Sequence, residues 1–284
     1  MIRGVDVSAI QGRVDWDALR SAGAEFAWMR GVVGNEYRDA RVRENIAEAK
    51  RAGVFPGVYC FAFPLPKLTP EAQVDYWVGK FEADGDLPGR AYGELPPALD
   101  LEWPPPEEKD KVSGRLIDTW AKWGVTGASI LRWGAKALIR MHQHWGCWPA
   151  LYTYPYFWKR AVAGVSKTEL DELLEVYGNC LWWGADYKAS GRVPQDGERP
   201  FTPAPWNDGR NVFWQHDGNG GLKMPNGVDC DWNVFTGTRD DLANIVRPYT
   251  ERVVPPGVDM VLVKQRTMGA IVEEDIARYR RERV

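Results

Sequence analysis

Residues 95–106 read Leu95-Pro96-Pro97-Ala98-Leu99-Asp100-Leu101-Glu102-Trp103-Pro104-Pro105-Pro106. Prolines punctuate both ends, and the stretch between them alternates apolar residues with acids, the pattern of a short strand. Side chains two apart on a strand share a face, so Asp100 and Glu102 point one way and Leu99 and Leu101 the other. Both acids stand near the strand's carboxyl end. That is where barrels and open α/β sheets gather their functional groups.

The same grammar extends in both directions. Upstream, residues 4–8, 26–30 and 54–63 read as strands. Helices begin at Asp15 and stop at Gly23, run over 39–52 with apolar Val42, Ile46 and Ala49, and run from Pro70 to about Glu82. Downstream come a helix over 128–145, a strand over 148–153 and a helix near 167–176. Three further strands follow, at 181–185, 212–216 and 228–234. Strand–helix alternation predicts an α/β fold with a mostly parallel sheet, and near-continuous apolar strands predict a sheet covered on both faces. The last three strands have few helices between them, so the expectation is an irregular arrangement rather than a regular eightfold barrel. No G-x-G-x-x-G follows the first strand and no G-x-x-x-x-G-K-[ST] occurs, which sets aside nucleotide binding.

The 284 residues are 44% hydrophobic and 26% charged, a globular balance that excludes disordered and fibrous classes. A formal charge of −3 leaves no electrostatic footprint for nucleic acid. The 15 Trp are the unusual entry in the composition; with no basic excess they favour stacking on sugars over bases. Cys60, Cys147, Cys180 and Cys230 are scattered through apolar runs and read as buried free thiols, not as a zinc site or disulfide framework. His142 and His144, two apart on a helix, point in different directions, so no metal is expected. No cofactor is implied, and no stretch reaches the roughly 18–20 apolar residues of a membrane span. Residues 1–6 have no basic region leading into an apolar one, so no secretory signal is read. After about residue 249 the chain reads Glu251-Arg252-Val253-Val254-Pro255-Pro256-Gly257, like a linker. Ile271, Val272, Ile276 and Tyr279 then fall roughly on one side of an amphipathic segment. The expected organisation is a catalytic domain over 1–248 and a short extension over 249–284.

The chemistry rests on acids. Two carboxylates facing one pocket raise each other's proton affinity, so one stays protonated as an acid while the other remains ionised. Glycoside cleavage needs that division of labour, and burial against Trp103 favours Glu102 as the protonated member. Asp6 interrupts the apolar first strand. Asp229 and Asp231 flank Cys230 on one face of the last. First and last strands of a closed sheet are neighbours, so Asp6 and one of this pair meet at the rim that carries Asp100 and Glu102. A divalent metal is the rival explanation of such a cluster, but no Asp-rich loop with close glycine spacing is present.

An ordered series of short motifs carries a resemblance. It runs Gly4-Val5-Asp6-Val7-Ser8, Gln11-Gly12 with Asp15-Trp16, Ala49-Lys50-Arg51-Ala52-Gly53, Gly57-Val58-Tyr59-Cys60-Phe61 and Pro70-Glu71-Ala72-Gln73. The stretch containing Asp100 and Glu102 follows, then Leu151-Tyr152-Thr153, Phe157-Trp158, Leu181-Trp182, Trp214-Gln215 and Asp231-Trp232-Asn233-Val234-Phe235. Over about residues 2–240 the chain resembles the glycoside hydrolase family 25 lysozymes, the Chalaropsis-type N-acetylmuramidases of bacteria and many bacteriophages. The resemblance implies an irregular, flattened (β/α) barrel, TIM-barrel-like, with extra late strands. It implies cleavage of the β-1,4 bond between N-acetylmuramic acid and N-acetylglucosamine in peptidoglycan, with glycan strands as the partner. It makes Glu102 the general acid and Asp100 the partner carboxylate, and puts Asp6 and Asp231 on family active-site aspartates. Tyr59, Tyr152 and Trp214 fall on groove positions that contact sugar, beside Trp103; Trp183 and Trp206 are candidate walls. Where many members have Tyr-His-Phe this chain has Tyr59-Cys60-Phe61, and where many have Ala-Thr-Glu-Gly it has Gly31-Val32-Val33-Gly34. The segments 103–127 and 188–211 look long for the family. Action at the cell wall is expected after release by phage lysis or as part of a virion or injection particle, with 249–284 a possible attachment. The competing readings are a catalytically silent glycan-binding component of such a particle and a chitinase-like hydrolase.

Overall fold

In the computed structural model, residues 1–247 are described, apart from 86, 112, 208, 210, 219 and 220. The expectations for 249–284 lie outside the described residues. The elements run β1 (Ile2–Val7), α1 (Trp16–Ser21), β2 (Ala24–Val33), β3 (Tyr37–Arg38), α2 (Val42–Arg51), β4 (Phe55–Phe61), α3 (Pro70–Glu82) and β5 (Ala98–Asp100). A hairpin of β6 (Glu107–Lys109) and β7 (Leu116–Asp118) follows, then α4 (Thr119–Trp123), α5 (Gly127–Trp145) and β8 (Ala150–Thr153). The chain continues through α6 (Pro155–Ala163), α7 (Lys167–Tyr177), β9 (Leu181–Ala185), β10 (Phe213–Asp217), β11 (Asp231–Phe235) and α8 (Arg239–Ile245).

Eight strands close on themselves in the order β1-β11-β10-β9-β8-β5-β4-β2, with β2 returning to β1 and β3 adding a short edge. Within the closed eight all neighbours are parallel except β11, which runs antiparallel to both β1 and β10, and the edge strand β3 is antiparallel to β2. The reversal follows from the chain, which joins β10 to β11 by a loop with no crossover helix. This is the irregular mixed barrel expected from the sequence, with its late strands breaking the β/α alternation.

Helix starts obey local chemistry. Asp15, Thr69, Thr126, Ser166 and Thr238 each accept a backbone N–H of the first turn, and Pro70 fits the first position of α3. The interior fills in layers because alternate residues of every strand point inward. Ile2, Phe26, Phe213 and Phe235 pack toward the amino-terminal end, with Trp28, Ala98, Ala150 and Trp183 above them. Trp28 stacks on Trp183 with centroids 4.3 Å apart and rings 16° from parallel. Two glycines make room for these rings. A Cβ on Gly4 would lie 2.4 Å from Phe26, and one on Gly57 would lie 2.6 Å from the Trp28 indole. Trp28 Nε1 donates to Pro96 O at 3.2 Å, which fixes the ring's depth.

The outer face is covered unevenly. Helices back most of the parallel strands, while β10 and β11 are sealed by the chain after β9, where Ala189, Trp214, Val234 and Met1 pack together. The chain over 189–206 therefore covers the outside of the late strands. Trp182 Nε1 donates to Phe201 O at 3.2 Å, and Trp206 Nε1 to Cys180 O at 2.8 Å. All four cysteines are buried and none is in a disulfide.

Candidate active site

Four acids meet at one end of the barrel. Asp6 lies near the carboxyl end of β1 and faces Asp231, which opens β11, in the antiparallel register Asp6↔Asp231. Asp100 ends β5, and Glu102 stands two residues further on the same face. Between them Leu101 is buried on the opposite side against Gly134 of α5, while its N–H donates to Tyr152 O at 2.9 Å. The expected alternation thus holds past the last strand residue. Asp229 takes no part: its carboxylate is exposed and pairs with Lys223 at 2.6 Å.

Inward residues of neighbouring strands join the site. Asp6 Oδ2 accepts from Gln215 Nε2 at 2.8 Å and Asn233 Nδ2 at 2.7 Å. Gln215 Oε1 accepts from both Tyr152 and Tyr187 hydroxyls at 2.8 Å. Trp183 Nε1 donates to Asn233 Oδ1 at 2.7 Å, tying this polar layer to the apolar one beneath. Asp100 Oδ1 is buried and has no hydrogen-bond partner. Arg30, on β2, is the cation that favours the Asp100 carboxylate, and it is itself held by Asp39 at 3.0 Å.

Burial and mutual repulsion raise the proton affinity of the cluster. Burial, then the charge of Asp231, pushes Glu102 up to about 7. Asp6 is raised by burial and by Asp231, against the pull of the Asn233 and Gln215 N–H groups. Asp100 is raised by burial, Glu102 and Asp6, with Arg30 opposing. The surrounding phenols are neutral donors: burial and the acids hold Tyr59, Tyr152, Tyr154 and Tyr187 well above the ordinary tyrosine range. A carboxyl protonated near neutral pH beside further acids suits proton donation to a leaving group opposite a carboxylate. Among the described residues, no group of three or more His, Cys, Asp or Glu is arranged to hold a metal ion.

The eight residues singled out from the sequence fare unequally. Asp6, Asp100, Glu102, Asp231, Tyr59 and Tyr152 come together. Trp103, directly after Glu102, is half-buried at the rim against Phe63, centroids 4.9 Å apart. Trp214 does not belong to the cleft. Its side chain is fully buried on the outer face of β10, and its Nε1 donates to Asp186 O at 2.7 Å. The period of two explains the correction: with Phe213 and Gln215 inward, Trp214 must point outward. Trp183 and Trp206 are not walls either. Trp183 is a buried floor residue, and Trp206 packs beneath α6 with Trp158 and Trp182. The residues that sequence reasoning passed over are Gln215, Asn233, Tyr187 and Arg30. A polar side chain on the inward face of an otherwise apolar strand was the available signal for Gln215 and Asn233.

The profile of the family described as "Glycosyl hydrolases family 25" matches residues 5–224. Lysozyme M1 of Streptomyces globisporus is 36% identical over 237 residues, which is 84% of this chain and 68% of that protein. The N,O-diacetylmuramidase of Chalaropsis sp is 30% identical over 163 residues, 55% of this chain and 68% of its own length. Among solved structures, the bacterial lysozyme from Streptomyces coelicolor shares the fold with a TM-score of 0.61 at 24% identity, covering 86% of this chain and 96% of that one. An eight-stranded mixed barrel, four acids at its carboxyl rim and a profile match over most of the described chain lead to one assignment: the chain belongs to glycosyl hydrolase family 25.

Proposed function

We propose that Glu102 is the proton donor in glycan cleavage and that the neighbouring acids Asp6, Asp100 and Asp231 share the negative charge opposite it. As a family 25 member the chain is a muramidase that degrades peptidoglycan, cutting between N-acetylmuramic acid and N-acetylglucosamine. The observation that carries the assignment of Glu102 is its place: proton affinity is raised across the cluster, but Asp6 and Asp100 are buried whereas Glu102 is only half-buried. Burial and Asp231 keep it protonated up to about pH 7, while it stands at the rim where a glycosidic oxygen can reach it. Asp100 is the partner carboxyl; its unpartnered Oδ1 is the atom available to hold the substrate's acetamido group. Tyr59 and Tyr152 line the cleft between the acids, and Trp103 offers a ring beside the proton donor. Peptidoglycan lies outside the inner membrane, so the enzyme works at the cell wall.

The test is incubation with purified peptidoglycan and identification of the new reducing ends. We expect N-acetylmuramic acid ends, and a loss of at least about a thousandfold in kcat for Glu102→Gln, the scale of removing a general acid. The alkaline limb of kcat/KM should fall near pH 7, where Glu102 gives up its proton. Binding without cleavage would overturn the enzymatic reading, and N-acetylglucosamine reducing ends would overturn the muramidase reading.

A further inference from the structure

The excursion between β5 and α5 is built around one exposed ring. Trp123, the last residue of α4, is 42% exposed, and its indole centroid lies 5.0 Å from that of Trp103 with the planes tilted by 58°. Trp103, the residue after Glu102, leans in turn on Phe63, so its ring lies between Phe63 and the exposed Trp123. The segment that delivers Trp123 is heavily anchored. Trp120 Nε1 donates to Pro104 O at 2.8 Å, Thr119 N donates to Pro106 O at 3.2 Å, and the Thr119 hydroxyl donates to Pro105 O. Trp120 is buried against Phe157 of α6, with the Arg160 guanidinium over its ring and bonded to Asp118 at 2.7 Å. Trp120 and Trp123 are thus divided in role: one indole locks the short helix down, and the other is held in water.

We propose that Trp123 is a sugar-stacking platform that extends the cleft beyond the sugars held over the acids, a reading that rests on the glycan-cleaving function above. The occupant is the glycan strand itself, because the platform packs on Trp103, the residue that directly follows Glu102 in the chain. The apolar face of a pyranose ring matches an exposed indole as a partly wet, amphipathic contact. Lys122 lies beside the platform, 6.0 Å from the Trp123 ring, with its charge paired to Glu108 at 2.8 Å. The site therefore selects ring surface and strand length rather than substrate charge.

The test compares wild type and Trp123→Ala on muramic acid–glucosamine oligomers of graded length and on whole peptidoglycan. We expect KM on long strands to rise about tenfold with kcat changed by less than about twofold, as for loss of one aromatic anchor. The penalty should shrink as the oligomer shortens, and Trp123→Phe should restore most of the affinity. Tyr92→Ala, a change at a 72% exposed ring on the other end of the barrel, serves as the control and should alter nothing. An unchanged KM on long strands overturns the proposal, and so does an equal loss at every length. Strand binding by Glu102→Gln, with and without Trp123→Ala, is read by tryptophan fluorescence and needs no turnover. Failure of hydrolysis is thereby told apart from failure of the platform.

Discussion

Asp6 shows how one carboxylate is held within an acidic cluster. Its Oδ2 receives two N–H donors, and Gln215 can present one of them only because Tyr152 and Tyr187 both donate to the other end of its amide. Two phenols thereby fix the orientation of an amide, and the amide favours the ionised form of an acid that burial and Asp231 push toward protonation. Gln215→Leu deletes that donor and leaves the buried Tyr152 hydroxyl, and the more exposed Tyr187 hydroxyl, without their acceptor. The acid limb of kcat/KM, where an ionised carboxylate is required, should move to higher pH. Stability should fall by about 1–3 kcal/mol for the groups left unpaired. Tyr187→Phe, which leaves Tyr152 to orient the amide, should shift the limb less. A pH–rate profile of the three proteins decides the matter: an unmoved limb in Gln215→Leu would show that Asp6 does not set it.

At the scale of elements, the strands carry the site because small residues beneath it let large ones in. A Cβ on Gly57 would meet Trp28 at 2.6 Å and Leu95 Cβ at 2.8 Å. Trp28 cannot yield, being pinned to Pro96 on one side and stacked on Trp183 on the other. Gly57→Ala should therefore cost about 1–3 kcal/mol by overpacking, seen as a lower urea midpoint with unchanged slope. An unchanged midpoint would mean that the floor is looser than its contacts suggest. Such elements were legible in the sequence to different depths. The strand ending at Asp100 and the helices at 42–51 and 70–82 follow from periodicity and caps, because burial there obeys one face. The helix over 155–163 escaped notice since Tyr156, Phe157 and Trp158 stand in a row, and a row of aromatics shows neither helical nor strand period. The wrong assignment of Trp214 to the cleft has a different root. The resemblance puts Trp214 on a groove position, whereas strand alternation turns Gln215 inward and Trp214 outward. Trp123 could not be placed at all, since its neighbour Trp103 is met only after a hairpin and a short helix have folded back.

For the whole molecule, the acids make function and stability pull against each other. Glu102 titrates in the folded protein near 7 but in the unfolded chain at the ordinary glutamate value, so the folded state holds its proton more tightly. The stabilisation that this proton affinity contributes is complete at pH values below the unfolded pKa. It is lost as pH rises through about 7, where burial beside Asp231 then costs the folded state. His216 acts in the opposite sense. Buried in β10, it is pushed down to about 4, so its neutral form favours folding and that contribution is lost as pH falls below the ordinary histidine range. The two windows overlap, and the wild-type profile of stability against pH blends them. Comparing wild type with Glu102→Gln isolates the acid, since His216 is common to both and the amide keeps the shape of the protonated carboxyl. The two proteins should melt together near pH 4. By pH 8 the variant should be more stable by about 3 kcal/mol, equivalent to a Tm higher by roughly 5–10 °C. Calorimetry across that range is the measurement. Equal melting temperatures at pH 8 would mean that Glu102 is not strained by its surroundings, and would remove the basis for its role as a proton donor at neutral pH.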